Sequence, residues 1–146
     1  MRRSRNPTFA PGLAGRLVLD SGAITKIAGQ ADPLARALWR ELTLRGWTTC
    51  IPAVTLAEIL TGRPRSDAAV NLLLKQVDAL VDCDEPTARL AGILRAGARI
   101  SPRPSGIDAI VAAVASATQP SIVLTTDPAD LRALLHDAPE AEIVAV

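Results

Sequence analysis

The stretch Arg16-Leu-Val-Leu-Asp20-Ser-Gly22 constrains this chain more than any other. Its apolar run, Leu17 to Leu19, is too short for a helix, and Asp-Ser-Gly turn chemistry ends it at once. A short apolar run bounded by turn signals is the pattern of a strand buried on both faces, as in a parallel sheet. Asp20 then stands at the carboxyl end of the first strand. In open α/β sheets, ligands gather outside that edge.

Downstream, strand-like and helix-like segments alternate. Residues 1–15, with Arg2, Arg3, Arg5, Pro7, Pro11 and two glycines, read as a flexible basic arm, and 16–146 as a single domain. Ala23 to Ala28 can form a short helix, broken at Gly29-Gln30. Asp32-Pro33 is an N-cap followed by proline at the first helical position. The helix that follows, to about Arg45-Gly46, is expected to present Leu34, Leu38, Leu42 and Trp39 on one apolar face. Thr48 to Ile51 is a β-branched second strand stopped by Pro52.

A helix from near Thr55 to Thr61-Gly62 comes next, then a basic loop, Arg63-Pro64-Arg65. Ser66 can cap a helix with Val70, Leu73, Leu74 and Val77 inward. Ala79 to Cys83 is a third strand, and Glu85-Pro86 opens a helix ending near Gly97, with Leu90, Ile93 and Leu94 apolar. Ile100 to Gly106 is a loop. Ile107, Ile110, Val111 and Val114 then form a helical stripe. Ser121 to Thr125 is a fourth strand, Asp127-Pro128 starts a long helix to Leu135, and Ile143 to Ala145 is a fifth strand. Strands alternating with helices specify a parallel α/β sheet with right-handed crossovers.

Four acids stand at the joints of this pattern, and each has an ordinary explanation. Asp20 is a turn residue. Glu58 lies three after Thr55, as in a capping box. Asp108 falls in a first helical turn, where the helix dipole favours a carboxylate. Asp127 precedes Pro128 as an N-cap, with Asp130 three residues later. In a parallel α/β sheet, however, the crossover helices run against the strands, so every helix N-terminus lies along the edge where Asp20 sits. Capping explains acids scattered along that edge, but not this set in this local wording. Carboxylates brought together repel one another and favour a cation, and oxygen-only ligands suit Mg²⁺ or Mn²⁺.

Leu17-Val-Leu-Asp20-Ser-Gly-Ala, Pro52-Ala-Val-Thr55-Leu-Ala-Glu58-Ile-Leu, Gly106-Ile-Asp108-Ala-Ile-Val-Ala-Ala and Leu124-Thr-Thr-Asp127-Pro-Ala-Asp130-Leu resemble the four motifs of PIN domains. The likeness is greatest to VapC-type toxins of bacterial toxin–antitoxin pairs and covers residues 16–146. It implies a three-layer α/β/α fold with a five-stranded parallel sheet in order 3-2-1-4-5. It also implies Mg²⁺- or Mn²⁺-dependent cleavage of RNA. Asp20, Glu58, Asp108 and Asp127 match the family's metal-site acids, with Asp130 as a helper. Thr126 matches a position where the family often has a small hydroxyl or amide residue, and Ser21 and Thr126 are expected to tune the ligands. Arg63, Arg65, Arg99 and Arg103 are candidates to grip RNA phosphates. The resemblance further implies a homodimer and a VapB-like antitoxin that places a basic side chain among the acids.

Composition narrows the alternatives. A net charge of +1 is not the strongly basic signature of a general nucleic-acid binder. With no Tyr, one Phe and two Trp, a base-stacking platform is not expected either, so contacts to RNA should run through phosphates, metal and arginines. The apolar runs are too short to span a membrane, and no apolar segment follows the basic start, which points to a cytoplasmic chain. Cys50 and Cys83 form no disulfide or zinc pattern and read as buried, inert thiols. His136 is expected to be solvated. A catalytically silent PIN-like module that binds RNA or an antitoxin is the main competing reading. A receiver-type phosphoacceptor would want an acidic pair before the first helix, and a haloacid-dehalogenase-type phosphatase would want Asp-x-Asp where Gly22 stands.

Overall fold

The computed structural model describes residues 14–118 and 120–146. The basic arm expected over 1–15 therefore lies almost wholly outside the described residues, and Gly15 already belongs to the first strand.

Five strands form one sheet: β1 (Gly15–Leu19), β2 (Trp47–Pro52), β3 (Ala79–Val81), β4 (Ser121–Thr125) and β5 (Ala141–Ala145). All pairings are parallel, in the order β3-β2-β1-β4-β5. Val18 pairs with Cys50 on one side and Val123 on the other, so β1 lies at the centre. Helices fill the crossovers: α1 (Ser21–Ala28), α2 (Pro33–Leu44), α3 (Leu56–Ile59), α4 (Pro64–Leu74), α5 (Glu85–Gly97), α6 (Gly106–Ala117) and α7 (Pro128–Leu134).

The period-2 alternation of strand side chains divides the core into two layers. Leu17, Leu19, Ile51, Ile122 and Leu124 face α1, α2 and α4, packing with Ile24, Ile27, Trp39, Val70 and Leu73. Val18, Cys50, Val81 and Val123 face the other way, onto Ala91 of α5, Val111 and Val114 of α6, and Leu131 and Leu134 of α7. This is the three-layer α/β/α arrangement expected from the sequence. Trp39 buries its ring and satisfies its indole N–H on Thr49 Oγ1 at 3.0 Å. Burial pushes the Cys50 thiol up to about 11, which leaves it protonated and unreactive at neutral pH. Cys83, expected to be buried too, is only half-buried, because it lies past the end of β3.

Arg16, Asp20 and Asp67 are the charged side chains buried among the described residues. Arg16 Nη1 donates to the Val114 carbonyl at 3.2 Å, in the last turn of α6, where the helix dipole favours a cation.

Several local expectations are corrected. Leu34 is 80% exposed and Ile93 68%, so neither belongs to its helix's buried face; α2 packs through Ala35, Leu38, Trp39 and Leu42. The helix expected from Thr55 to Gly62 is a 3₁₀ turn, Ala53–Thr55, leading into the one-turn α3. Thr55 makes no cap because its backbone is already helical, φ −65° and ψ −25°, where a capping residue is extended. Its hydroxyl donates instead to the Pro52 carbonyl at 2.8 Å. Ser66 caps nothing, because α4 starts at Pro64 with Arg63 as its N-cap residue, and Arg65 lies on the helix rather than in a loop. Strand β3 stops at Val81, α7 is only seven residues long, and β5 begins earlier, at Ala141.

Leu124 is fully buried between β1 and β5, so Leu124→Ala should cost about 2–5 kcal/mol in urea unfolding. Leu34→Ala should stay within about 0.5 kcal/mol of the parent. Equal losses at the two positions would contradict the layer assignment.

Candidate active site

Asp20 is the most firmly held of the acids. It leaves β1 and serves as N-cap of α1, its Oδ1 accepting the Ala23 N–H at 2.8 Å. Its Oδ2 accepts a hydrogen bond from the Thr125 hydroxyl. Thr125 ends β4, is fully buried, and accepts the Asp127 N–H on the same oxygen at 3.0 Å. One hydroxyl therefore ties together the ends of the two central strands and the backbone of a second acid.

Asp108 occupies the first turn of α6. Ser105, the N-cap, accepts the Asp108 N–H at 3.0 Å and donates its hydroxyl to Asp108 Oδ2 at 2.8 Å. Glu58 sits exposed on α3, and Asp127 sits exposed ahead of α7. Neither carboxylate takes a hydrogen bond or ion pair from another described residue. The capping explanations of these two acids are thus not realised: Thr55 makes no cap, and Asp127 holds the N-cap position without a side-chain bond. Asp20 does cap a helix, and Asp108 is held by one.

Charge couples the set by repulsion. Burial raises the Asp20 carboxyl above its ordinary range, the bonds from Thr125 and Ala23 oppose the rise, and the negative charges of Asp108 and Glu58 add to it. Asp130, half-buried on α7, is likewise raised, first by burial and then by Asp127 and Asp108. Asp108 is thus felt by both Asp20 and Asp130. Because Asp20's folded pKa lies above its unfolded value, its contribution to stability is fully present below the unfolded value and is lost as pH rises through the folded one.

The donor chemistry, carboxylate oxygens alone, fits a hard divalent cation such as Mg²⁺ or Mn²⁺. The spacing is more open. Among the described residues, no three Asp, Glu, His or Cys side chains converge closely enough to enclose one ion. Like charges repel, and Glu58 and Asp127 extend into water while Asp20 and Asp108 stay tied to hydroxyls.

The two hydroxyls that bond these acids are Thr125 and Ser105, which sequence reasoning passed over in favour of Ser21 and Thr126. Ser21 opens α1, and Thr126 is exposed. Neither hydroxyl bonds one of the carboxylates among the described residues. Thr126 instead packs on Gly22, where an added Cβ would collide with its side chain. Strand parity held the signal for Thr125. Asp20 continues the face of Val18, and Thr125 that of Val123, both toward the layer that contains α6.

The arginines separate. Arg63 and Arg65 lie at the start of α4, on the edge where helices begin, and Arg103 lies two residues before Ser105. Arg99 lines a cleft with Leu134 and His136, at the opposite end of α7 from Asp127. His136 is exposed, with Nε2 3.0 Å from Asp137 Oδ2.

No protein-family model and no curated protein matches the sequence. Solved structures do match the fold. VapBC2 from Rickettsia felis, bound to a DNA fragment from its promoter, superposes with a TM-score of 0.68 at 14% identity, over 90% of this chain and 98% of that one. DNA-bound VapBC from Salmonella typhimurium gives 0.66 at 21% identity, over 89% and 97%. VapBC-5 from Mycobacterium tuberculosis gives 0.56 at 26% identity, over 90% and 98%. The chain has the PIN-like fold of VapC proteins. In this VapC-like frame, the Asp20 edge is the one formed by the ends of the two central strands.

Thr125→Val should cost about 1–2 kcal/mol, since it leaves Asp20 Oδ2 and the Asp127 N–H without their shared partner. The Asp20 pKa, followed by NMR, should rise further because a bond that lowers it is gone. Thr125→Ser should behave like the parent. An unchanged Asp20 titration in the Val variant would contradict the bridge.

Proposed function

We propose that this chain is a Mg²⁺- or Mn²⁺-dependent endoribonuclease, acting in the cytoplasm as the toxin of a toxin–antitoxin pair. The observation that carries the reading is that Asp20, Glu58, Asp108 and Asp127 all stand at helix starts along the carboxyl edge of a parallel PIN-like sheet. Capping leaves Glu58 and Asp127 unexplained, whereas cation binding gives both a role.

Asp20, Glu58, Asp108 and Asp127 would hold the cation, with Asp130 as an additional carboxylate. A bound divalent ion supplies a water of lowered pKa and positive charge beside a phosphodiester. The protein's own part is to prepare the place. Thr125 and Ala23 hold the Asp20 carboxylate in one orientation, and Ser105 does so for Asp108. Glu58 and Asp127, unbonded, are free to turn inward once repulsion is neutralised. Arg63 and Arg65, at the start of α4, can hold phosphates of the RNA backbone.

The solved neighbours include VapBC and FitAB complexes. By analogy, the partner here is a VapB-like antitoxin, which would inhibit by placing a guanidinium among the acids in place of the cation. A homodimer would set two such edges side by side. Among the described residues, no helix is long and apolar enough to cross a membrane. The open spacing of the carboxylates gives some support to a second reading, a silent PIN-like module that only binds RNA or the antitoxin.

Cleavage of a mixed RNA substrate separates the two. The nuclease reading expects activity with Mg²⁺ or Mn²⁺, loss with EDTA and recovery on readdition. Asp20→Asn and Asp108→Asn should each lower the rate more than about 100-fold, beyond the loss expected for an outer partner of a metal ligand, with the fold retained. Undiminished cleavage by either variant, or in excess EDTA, would contradict it.

A further inference from the structure

One acid outside the four takes more hydrogen bonds than any of them does. Asp67, buried in the first turns of α4, accepts three: from Thr61 N–H at 2.9 Å, Thr61 Oγ1 at 2.9 Å and Gly62 N–H at 2.8 Å. Thr61 Oγ1 also accepts the Arg63 N–H at 3.2 Å, and Asp67 N–H returns to the Arg63 carbonyl at 3.0 Å. These bonds close a turn in which Gly62 adopts φ +75°, a left-handed conformation that glycine takes without strain. The turn begins two residues after α3 ends.

The segment that bears Glu58 needs such an anchor. Helix α3 is a single turn, four residues long, and one turn has almost no stability of its own. On its N-terminal side it is held by Thr55 Oγ1 on the Pro52 carbonyl. On its C-terminal side, Leu60 N–H bonds to the Leu56 carbonyl, and Asp67 then captures the next two residues. The Glu58 carboxylate itself has no partner among the described residues. Its place relative to Asp20 therefore depends on the backbone that carries it.

We propose that Asp67 is a positioning residue for Glu58: its carboxylate clamps the Thr61–Gly62 turn to α4 and so holds the one-turn helix at the edge shared with Asp20 and Asp108. Asp67 acts through Glu58 and does not touch substrate or metal. This role rests on the metal-site reading given above. The strong hydrogen bonding also keeps Asp67 ionised: the backbone N–H of Thr61, foremost among its donors, lowers its pKa. A carboxylate is the right group here because it accepts all three bonds without a donor of its own, whereas an amide would turn an NH₂ toward N–H groups.

The test is a thermodynamic cycle on Mn²⁺ affinity, read by electron paramagnetic resonance of free Mn²⁺, with no RNA present. Asp67→Asn should weaken Mn²⁺ binding by about tenfold, the low end for loss of a group that orients a metal ligand. The double variant Asp67→Asn/Glu58→Gln should bind no more weakly than Glu58→Gln alone, because the clamp has nothing left to position. Circular dichroism checks that each variant is folded. If Asp67→Asn does not fold, Thr61→Ala removes one of the three donors and is expected to show a smaller loss with the same non-additivity. Wild-type affinity in the clamp variant, or independent additive losses, would overturn the positioning role while leaving the metal site intact. Failure of the wild-type chain to bind Mn²⁺ would instead overturn the site reading, and this role with it.

Discussion

One buried carboxylate and one hydroxyl, at the carboxyl ends of β1 and β4, organise this protein. A parallel sheet brings all its strand termini, and the N-termini of its crossover helices, to one edge. Asp20, at the end of β1, loses hydration there, and its neighbours are also negative. Such a group persists only if donors are built in. Thr125 and the first turn of α1 supply them, and Thr125 passes the constraint on to Asp127. The geometry of the edge then follows from the sheet: Asp20 and Thr125 face the layer where α6 carries Asp108.

The same edge opposes stability. Burial and mutual repulsion raise the Asp20 and Asp130 carboxyls, which means that the folded chain bears charge it would hold more comfortably unfolded. The cost is met by the two apolar layers around β1, whose Leu17, Val18 and Leu19 have no solvent exposure. Perturbed carboxyls of this kind, supported by a close-packed core elsewhere, are what the proposed cation would relieve. It also explains an uneven site, with Asp20 and Asp108 held and Glu58 and Asp127 extended into water.

Much of this was legible in the sequence, and what was missed has a common cause. Leu17-Val-Leu-Asp20 announced the first strand and the alternation after it a parallel sheet, while the strand order came from the resemblance to PIN domains. Helix periodicity did not show that Leu34 and Ile93 lie outside the buried stripe, because a propensity pattern cannot tell where a helix face ends against its neighbours. Thr55 and Glu58 matched a capping box in spacing, yet Thr55 already lies in the helical region, so its side chain makes no cap bond. Thr125 and Ser105 were overlooked because their partners are chosen by strand parity and cap geometry, not by adjacency to an acid. Asp67 gave no sequence signal at all: it sits six residues from Thr61, a separation that becomes a contact only when Gly62 turns the chain.

Crystals grown with Mn²⁺ would test the central claim most directly, through an anomalous difference map. The account predicts a peak at the carboxyl edge of β1 and β4, about 2.0–2.2 Å from an oxygen of Asp20 and one of Asp108, with Glu58 or Asp127 turned in toward it. A map with no peak at that edge, or with Mn²⁺ bound only elsewhere on the chain, would contradict it.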